Sequence, residues 1–255
     1  MLAQSVLVTG CSRGIGLEFV RQLVSCDKPP AVVIGTCRNP DKAEELQQLA
    51  KKYSNLKIIK FDVVDYASLP RVVEEVGRAV GDGGLNLLIN NAGVMDKCPS
   101  QMFGVPLQQL EAKLFSEVLE TNTTAPLMLI KELLPLLRKA AASSSGPMGV
   151  SRAAVINMST ILASMGSFVG NADIYGYRAS KTALNMLTKA LSVDLGHEGL
   201  LFVALHPGWV QTDMGTSAGM MTTEQSVRDM LQLMATLTEK NNGGFLAHDG
   251  SELPW

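Results

Sequence analysis

Thr9-Gly10-Cys11-Ser12-Arg13-Gly14-Ile15-Gly16 is the stretch that decides the fold. A short apolar run, Val6-Leu7-Val8, precedes it, and an amphipathic segment with apolar side chains at Leu17, Val20, Leu23 and Val24 follows. That order predicts a strand, a glycine-rich turn and a helix. Gly10, Gly14 and Gly16 carry no Cβ, so the backbone can turn sharply and lie close to a ligand. The new helix points its free N–H groups and positive dipole end over the turn, which Ser12, Arg13 and Ile15 complete, and a pyrophosphate is the natural occupant. The spacing is T-G-x-x-x-G-x-G and not G-x-G-x-x-G. No Lys-Ser/Thr pair closes it, so it is not a P-loop. Taken alone, the stretch also fits a plain tight turn.

Working outward, strand and helix patterns alternate along the whole chain. Strands are expected at 31–36, 57–61, 86–90, 153–158 and 201–205, with a last edge strand around Phe245 and Leu246. Helical patterns fill 41–53, 69–80, 107–139, 177–195 and 224–237. Repeated β-α units predict an α/β fold: a Rossmann-type, doubly wound parallel sheet with helices on both faces. No repeat or linker divides the chain, so residues 1–255 are read as one dinucleotide-binding catalytic domain. Ligands on such a sheet bind past the carboxyl ends of the strands.

Bulk composition excludes several classes. Hydrophobic residues make up 46% of the chain and charged residues 18%, as in a globular protein, and the net charge of -2 offers no basic field for nucleic acid. Cys11, Cys26, Cys37 and Cys98 have no C-x-x-C or zinc spacing and read as free thiols in a reducing compartment. The first strand starts close to Met1, which leaves no room for a signal peptide. The apolar stretch at 127–137 contains Lys131 and Glu132, so no membrane span is expected. A cytoplasmic location is the corresponding expectation. His197, His206 and His248 are scattered, and no metal site is read from them.

The residues just after each strand carry the chemistry. Arg38 follows the second strand, where an NAD site usually places a carboxylate. Together with Arg13 it suits a 2′-phosphate, which favours NADP(H). Asp62-Val63 follows the third strand; the carboxylate can accept from an adenine amino group or cap a turn. Asn90-Asn91-Ala92-Gly93 follows the fourth and is small and polar enough to line a cofactor groove. Tyr177 and Lys181 stand four apart on a helix and share a face. A lysine ammonium beside a phenol favours the phenolate and is expected to lower the tyrosine pKa. Such a phenol can exchange a proton with an alcohol oxygen. Pro126 lacks an N–H, so the carbonyl of Asn122 loses its helical partner and needs another, such as water. A simple kink is the alternative.

These pieces together resemble the short-chain dehydrogenases/reductases of single-domain type, over essentially the whole length. The resemblance rests on Thr9 to Gly16, Asp62-Val63, Asn90 to Gly93, Asn122, Ser159-Thr160, Tyr177 to Lys181, and Pro207-Gly208-Trp209-Val210-Gln211-Thr212. Tyr177-Arg178-Ala179-Ser180-Lys181, the run 205–210 and the segment Asp249 to Trp255 narrow it to the sniffer-type carbonyl reductases and C-factor-like proteins.

The resemblance implies a role for each matched residue. Tyr177 is the general acid, Lys181 holds the nicotinamide ribose and tunes Tyr177, and Asn122 supports Lys181 through a water. Pro207, Gly208, Val210 and Thr212 line the nicotinamide end, with Thr212 on the carboxamide. The substrate-orienting hydroxyl falls on Thr160, where the family pattern has serine, with Ser159 before it. The expected reaction is NADPH-dependent reduction of a small apolar aldehyde, ketone or quinone. Met95, Phe168, Trp209 and the methionine-rich loop at 212–223 point to an apolar substrate, and the glycines of that loop are read as giving it mobility. The resemblance also implies homodimers or homotetramers through the long helices. Cys11, at a helix N-terminus, is a candidate for oxidation sensitivity, with small filler as the alternative. Two other functions use the same glycine turn: an NADP(H)-binding redox-sensing or regulatory protein with little turnover, and an assembly protein whose nucleotide is structural.

Overall fold

The computed structural model describes residues 2–97, 103–170 and 172–255. Cys98, read above as a free thiol, lies outside the described residues. Seven strands form one sheet in the order β3-β2-β1-β4-β5-β6-β7, and every neighbouring pair is parallel. They are β1 Ser5–Val8, β2 Val32–Cys37, β3 Leu56–Lys60, β4 Leu87–Asn90, β5 Ala154–Met158, β6 Leu201–His206 and β7 Gly244–Ala247. The interleaved helices are α1 Gly14–Ser25, α2 Glu44–Lys52, α3 Leu69–Val80, α4 Ala112–Leu119, α5 Ala125–Ser143, α6 Tyr175–Leu195 and α7 Thr223–Thr236.

Side chains of a strand alternate between faces, and both faces of a parallel sheet are covered. Val6 and Val8 of β1 pack with Phe19 and Val20 of α1 and Met230 and Met234 of α7. Leu7, between them, packs with Val72 and Val76 of α3 and Leu129 and Leu133 of α5. The continuous apolar runs of β1, β4, β5 and β6 are what burial on both faces requires.

The chain leaves β1 for β2 on one side, and β4 then pairs with β1 on the other. The strand order reverses there, and the crevice opens above that reversal. It is flanked by the glycine turn after β1 and by the loop after β4. The expected helical region at 107–139 proves to be two helices joined by a wider π-turn, Glu120–Thr124, just ahead of Pro126. Pro126 is the second residue of α5, and the backbone leading into it at Thr124 is already helical, so the wider π-turn falls where proline interrupts the hydrogen-bond ladder. Among the described residues, no helix is long and apolar enough to cross a membrane.

Candidate active site

A cleft of about 620 Å³ runs over the carboxyl ends of the central strands. It is lined by Ser12, Arg13, Arg38 and Asp62 and by Tyr177, Lys181, Pro207 and Thr212. Gly10, Gly14, Ile15, Gly16, Val63, Ala92 and Gly93 line its length. The glycine turn is built for close approach. Gly10 has φ +72°, and a Cβ on Gly16 would lie 2.3 Å from the Gly10 carbonyl oxygen and 2.5 Å from the Asn91 amide nitrogen. Thr9 ties the two flanking loops together: its hydroxyl accepts from the backbone N–H groups of Asn91 and Ala92, both at 3.0 Å.

Arg13 and Arg38 both line the cleft. Arg13 also pairs with Asp213 at 3.0 Å, with both side chains about three-quarters exposed. A pair that open to water contributes little and yields easily to a phosphate. Asp62 lines the cleft and accepts from the Val64 N–H at 3.4 Å. The turn-capping role is therefore seen in a side chain that also borders the cleft.

Asn90 needs correcting. Its side chain turns away from the cleft and donates to Asn157 at 2.8 Å, and Asn157 donates to Thr188 of α6 at 2.9 Å. This buried polar ladder fastens β4 and β5 to the helix that carries Tyr177. Asn91, the next residue of the run read as groove-lining, does line the cleft and donates to the Thr9 carbonyl at 2.8 Å. Gly208 packs against Met221 and His248, and Val210 is buried beneath the following loop.

Tyr177 and Lys181 share the inner face of α6, where both are buried. The Lys181 ammonium donates to the Met158 carbonyl at 2.7 Å and lies 6.0 Å from the centre of the Tyr177 ring. Burial pushes Lys181 down to about 8 and Tyr177 up to about 12; a hydrogen bond from Thr160 only partly opposes the rise for Tyr177. The expected lowering of the Tyr177 pKa by Lys181 is therefore overturned. Desolvation outweighs a cation that is itself engaged by a carbonyl. A phenol held protonated through neutral pH suits a proton donor.

Ser159 and Thr160 separate as neighbours on an extended chain do. The Ser159 hydroxyl donates to Asn185 of α6 at 2.5 Å, while the Thr160 hydroxyl reaches Tyr177. Asn122, in the π-turn, is fully buried; its amide spans the loop after β4, accepting from the Val94 N–H at 2.8 Å and donating to the Val94 carbonyl at 2.7 Å. It also donates to Ser180 at 3.0 Å. A point at the Cβ position of Gly93 is 3.2 Å from Asn122 Oδ1 and 3.5 Å from Lys181 Nζ, so only a hydrogen there lets the two converge.

Asp96 is a site residue that the sequence did not announce. It is completely buried, and its two oxygens accept from the backbone N–H groups of Gly176 (3.2 Å) and Tyr177 (2.9 Å). Ile174, at the N-cap of α6, provides no side-chain cap, so the carboxylate supplies it from another loop. The next residue, Lys97, donates to the Asp213 carbonyl at 3.0 Å.

The loop at 212–223 is tied back on itself. Its ends pair through Gln211 N–H to the Met221 carbonyl (2.8 Å) and Met221 N–H to the Trp209 carbonyl (3.1 Å), and Trp209 Nε1 donates to the Gly215 carbonyl at 2.8 Å. A Cβ on Gly215 would lie 2.0 Å from the Val210 oxygen, and one on Gly219 would lie 2.6 Å from the Gln211 nitrogen. These glycines serve close packing. Cys11 is also corrected. It is fully buried, its thiol donates to the Val8 carbonyl at 3.1 Å, and burial drives its pKa far up, so the thiolate an oxidant needs is disfavoured. Burial raises the Cys37 thiol pKa as well.

A crevice at a strand-order reversal, lined by a glycine turn and by a buried tyrosine and lysine, defines a nucleotide-dependent oxidoreductase. A model of the short chain dehydrogenase family matches residues 4–222, and the chain belongs to that family. Among solved structures, the carbonyl reductase Sniffer of D. melanogaster is 43% identical with a TM-score of 0.93, covering 99% of this chain and 100% of that one. The NADPH-bound carbonyl reductase from chicken fatty liver is 42% identical with a TM-score of 0.92, covering 99% of each chain. C-signal of Myxococcus xanthus is 34% identical over 175 residues, 68% of this chain and 94% of its own.

Proposed function

We propose that the protein is an NADPH-dependent carbonyl reductase acting on small apolar aldehydes, ketones or quinones, with Tyr177 as the general acid. The observation that carries this reading is the meeting of the Tyr177 and Thr160 hydroxyls beside Lys181, in a cleft that Arg13 and Arg38 also line. The donor set fits the dinucleotide. Arg13 and Arg38 suit the 2′-phosphate, the α1 N-terminus suits the pyrophosphate, Lys181 suits the nicotinamide ribose, and Thr212 suits the carboxamide. NADPH supplies the hydride when bound. Thr160 donates to the substrate carbonyl oxygen and polarises it, and Tyr177 delivers the proton that completes the alcohol. Lys181 holds a positive charge close to the developing alkoxide. Asn122 and Asp96 keep α6, the π-turn and the loop after β4 in register.

Exposed Phe168, Val169, Trp209 and Met220 stand on the loops after β5 and β6, at the same end of the sheet, and support an apolar substrate. Assembly through the long helices would cover Met186 and Val193, both exposed on α6. The test is loss of NADPH absorbance with a panel of quinones, aldehydes and ketosteroids. Turnover with several members supports the reading. Tight NADPH binding with no turnover on any of them favours the redox-sensing alternative.

A further inference from the structure

The residue directly after Tyr177 is an arginine that the mechanism above does not use. Arg178 is only 7% exposed, and a guanidinium so buried is expected to be paired. Its side chain reaches back over the segment that leaves β5. Nη1 donates to the Leu162 carbonyl at 3.0 Å, and Nη2 donates to the Val169 carbonyl. Its guanidinium carbon sits 4.4 Å above the centre of the Phe168 ring. Asp173 provides the nearby negative charge. One planar cation thus grips both ends of the loop that follows Thr160. That fork geometry is something arginine offers and lysine does not.

The grip continues to the reacting centre. The Leu162 N–H donates to Thr160 Oγ1 at 3.2 Å. A hydroxyl that accepts on one lone pair keeps its own proton for donation elsewhere. Thr160 Oγ1 also faces Tyr177. The chain of contacts runs from the Arg178 guanidinium to the Leu162 carbonyl, through the Leu162 peptide to Thr160, and so to the place of the substrate carbonyl. Thr182, one turn further along α6, reinforces it by donating to the Ala163 carbonyl at 2.8 Å.

We propose that Arg178 is a positioning residue for the reduction: it fixes Leu162 so that the Thr160 hydroxyl presents its proton to the substrate carbonyl, and it holds Phe168 on the loop after β5. This rests on the role given to Thr160 under the proposed function. Arg178 is not among the residues lining the nucleotide cleft, so its loss acts on the carbonyl and leaves cofactor affinity alone.

The test is a double-mutant cycle on the full-length protein, with kcat, KM and NADPH Kd measured for Arg178→Met, Arg178→Lys, Thr160→Ala and Arg178→Met/Thr160→Ala. Small misplacement of an orienting group costs on the order of 10- to 100-fold in rate. Arg178→Met is expected to lower kcat by that amount with NADPH Kd unchanged. Arg178→Lys is expected to restore little, because it offers no fork. The decisive readout is non-additivity: with Thr160 already removed, losing Arg178 should change kcat by less than about twofold. Additive losses would mean that Arg178 only stabilises the fold, and would overturn the proposal. So would wild-type kcat in Arg178→Met alongside a crippled Thr160→Ala, which leaves the carbonyl-reductase reading intact. Wild-type kcat in Thr160→Ala would overturn both. If Arg178→Met does not fold, Arg178→Gln takes its place in the cycle. Backbone amide exchange at Leu162 provides a readout independent of turnover: it should quicken in the arginine variants, and unchanged protection would overturn the proposal.

Discussion

Removing the Asp96 carboxylate should loosen the catalytic helix at its first turn. Gly176 and Tyr177 occupy the second and third positions of α6, the N–H groups that a cap normally satisfies. In Asp96→Ala both donors lose their acceptor inside a completely buried site. An unsatisfied buried donor costs about 1–3 kcal/mol. Two of them give about 2–6 kcal/mol, and partial relaxation brings the expected loss to about 3 kcal/mol. For a chain of this size each kcal/mol lowers Tm by roughly 2–4 °C, so the midpoint should fall by roughly 6–12 °C. Asp96→Asn keeps one acceptor but turns an NH2 toward the second donor, and should fall between wild type and alanine. Thermal unfolding followed by circular dichroism measures the shift, and kcat at a permissive temperature should drop with it. A midpoint within a degree of wild type in Asp96→Ala would refute the reasoning.

Lys181 loses its proton as pH rises through about 8, so NADPH binding should weaken above that pH, and fluorescence titration should show no such step in Lys181→Met. Tyr177 stays protonated over the same range, because burial holds it up to about 12, so an alkaline fall in cofactor affinity belongs to the lysine. Arg38→Asp should weaken NADPH binding far more than NADH binding by calorimetry; equal losses would contradict the 2′-phosphate reading. Cys26 is exposed while Cys11 and Cys37 are buried, so peptide mapping after brief alkylation should find Cys26 labelled well ahead of both.

The parts of the fold visible in the sequence are those with local causes. The β1 run, the glycine turn and the start of α1 lie within a few residues of one another, and their chemistry needs no distant partner. The spacing of Tyr177 and Lys181 is local in the same way. Asp96 acts on α6 from 80 residues away, and nothing around it distinguishes it from a surface carboxylate. Asn90 and Asn91 are chemically alike, and only the strand's alternation decides which one enters the helix-facing ladder. Pro126 flagged the Asn122 carbonyl, but the π-turn depends on how α4 and α5 pack. The direction of the Tyr177 shift was missed because the depth of burial and the Met158 carbonyl on Lys181 are tertiary facts. The close packing at Gly215 and Gly219 was not legible, because packing and mobility call for the same residue.

The most direct test of the central claim is single-turnover reduction by Tyr177→Phe with NADPH prebound. Removing one oxygen leaves the ring packing, Lys181 and the nucleotide cleft in place. The account predicts wild-type NADPH affinity and a loss of nearly all reduction of a carbonyl substrate. Reduction at the wild-type rate would remove Tyr177 from the chemistry and contradict the account.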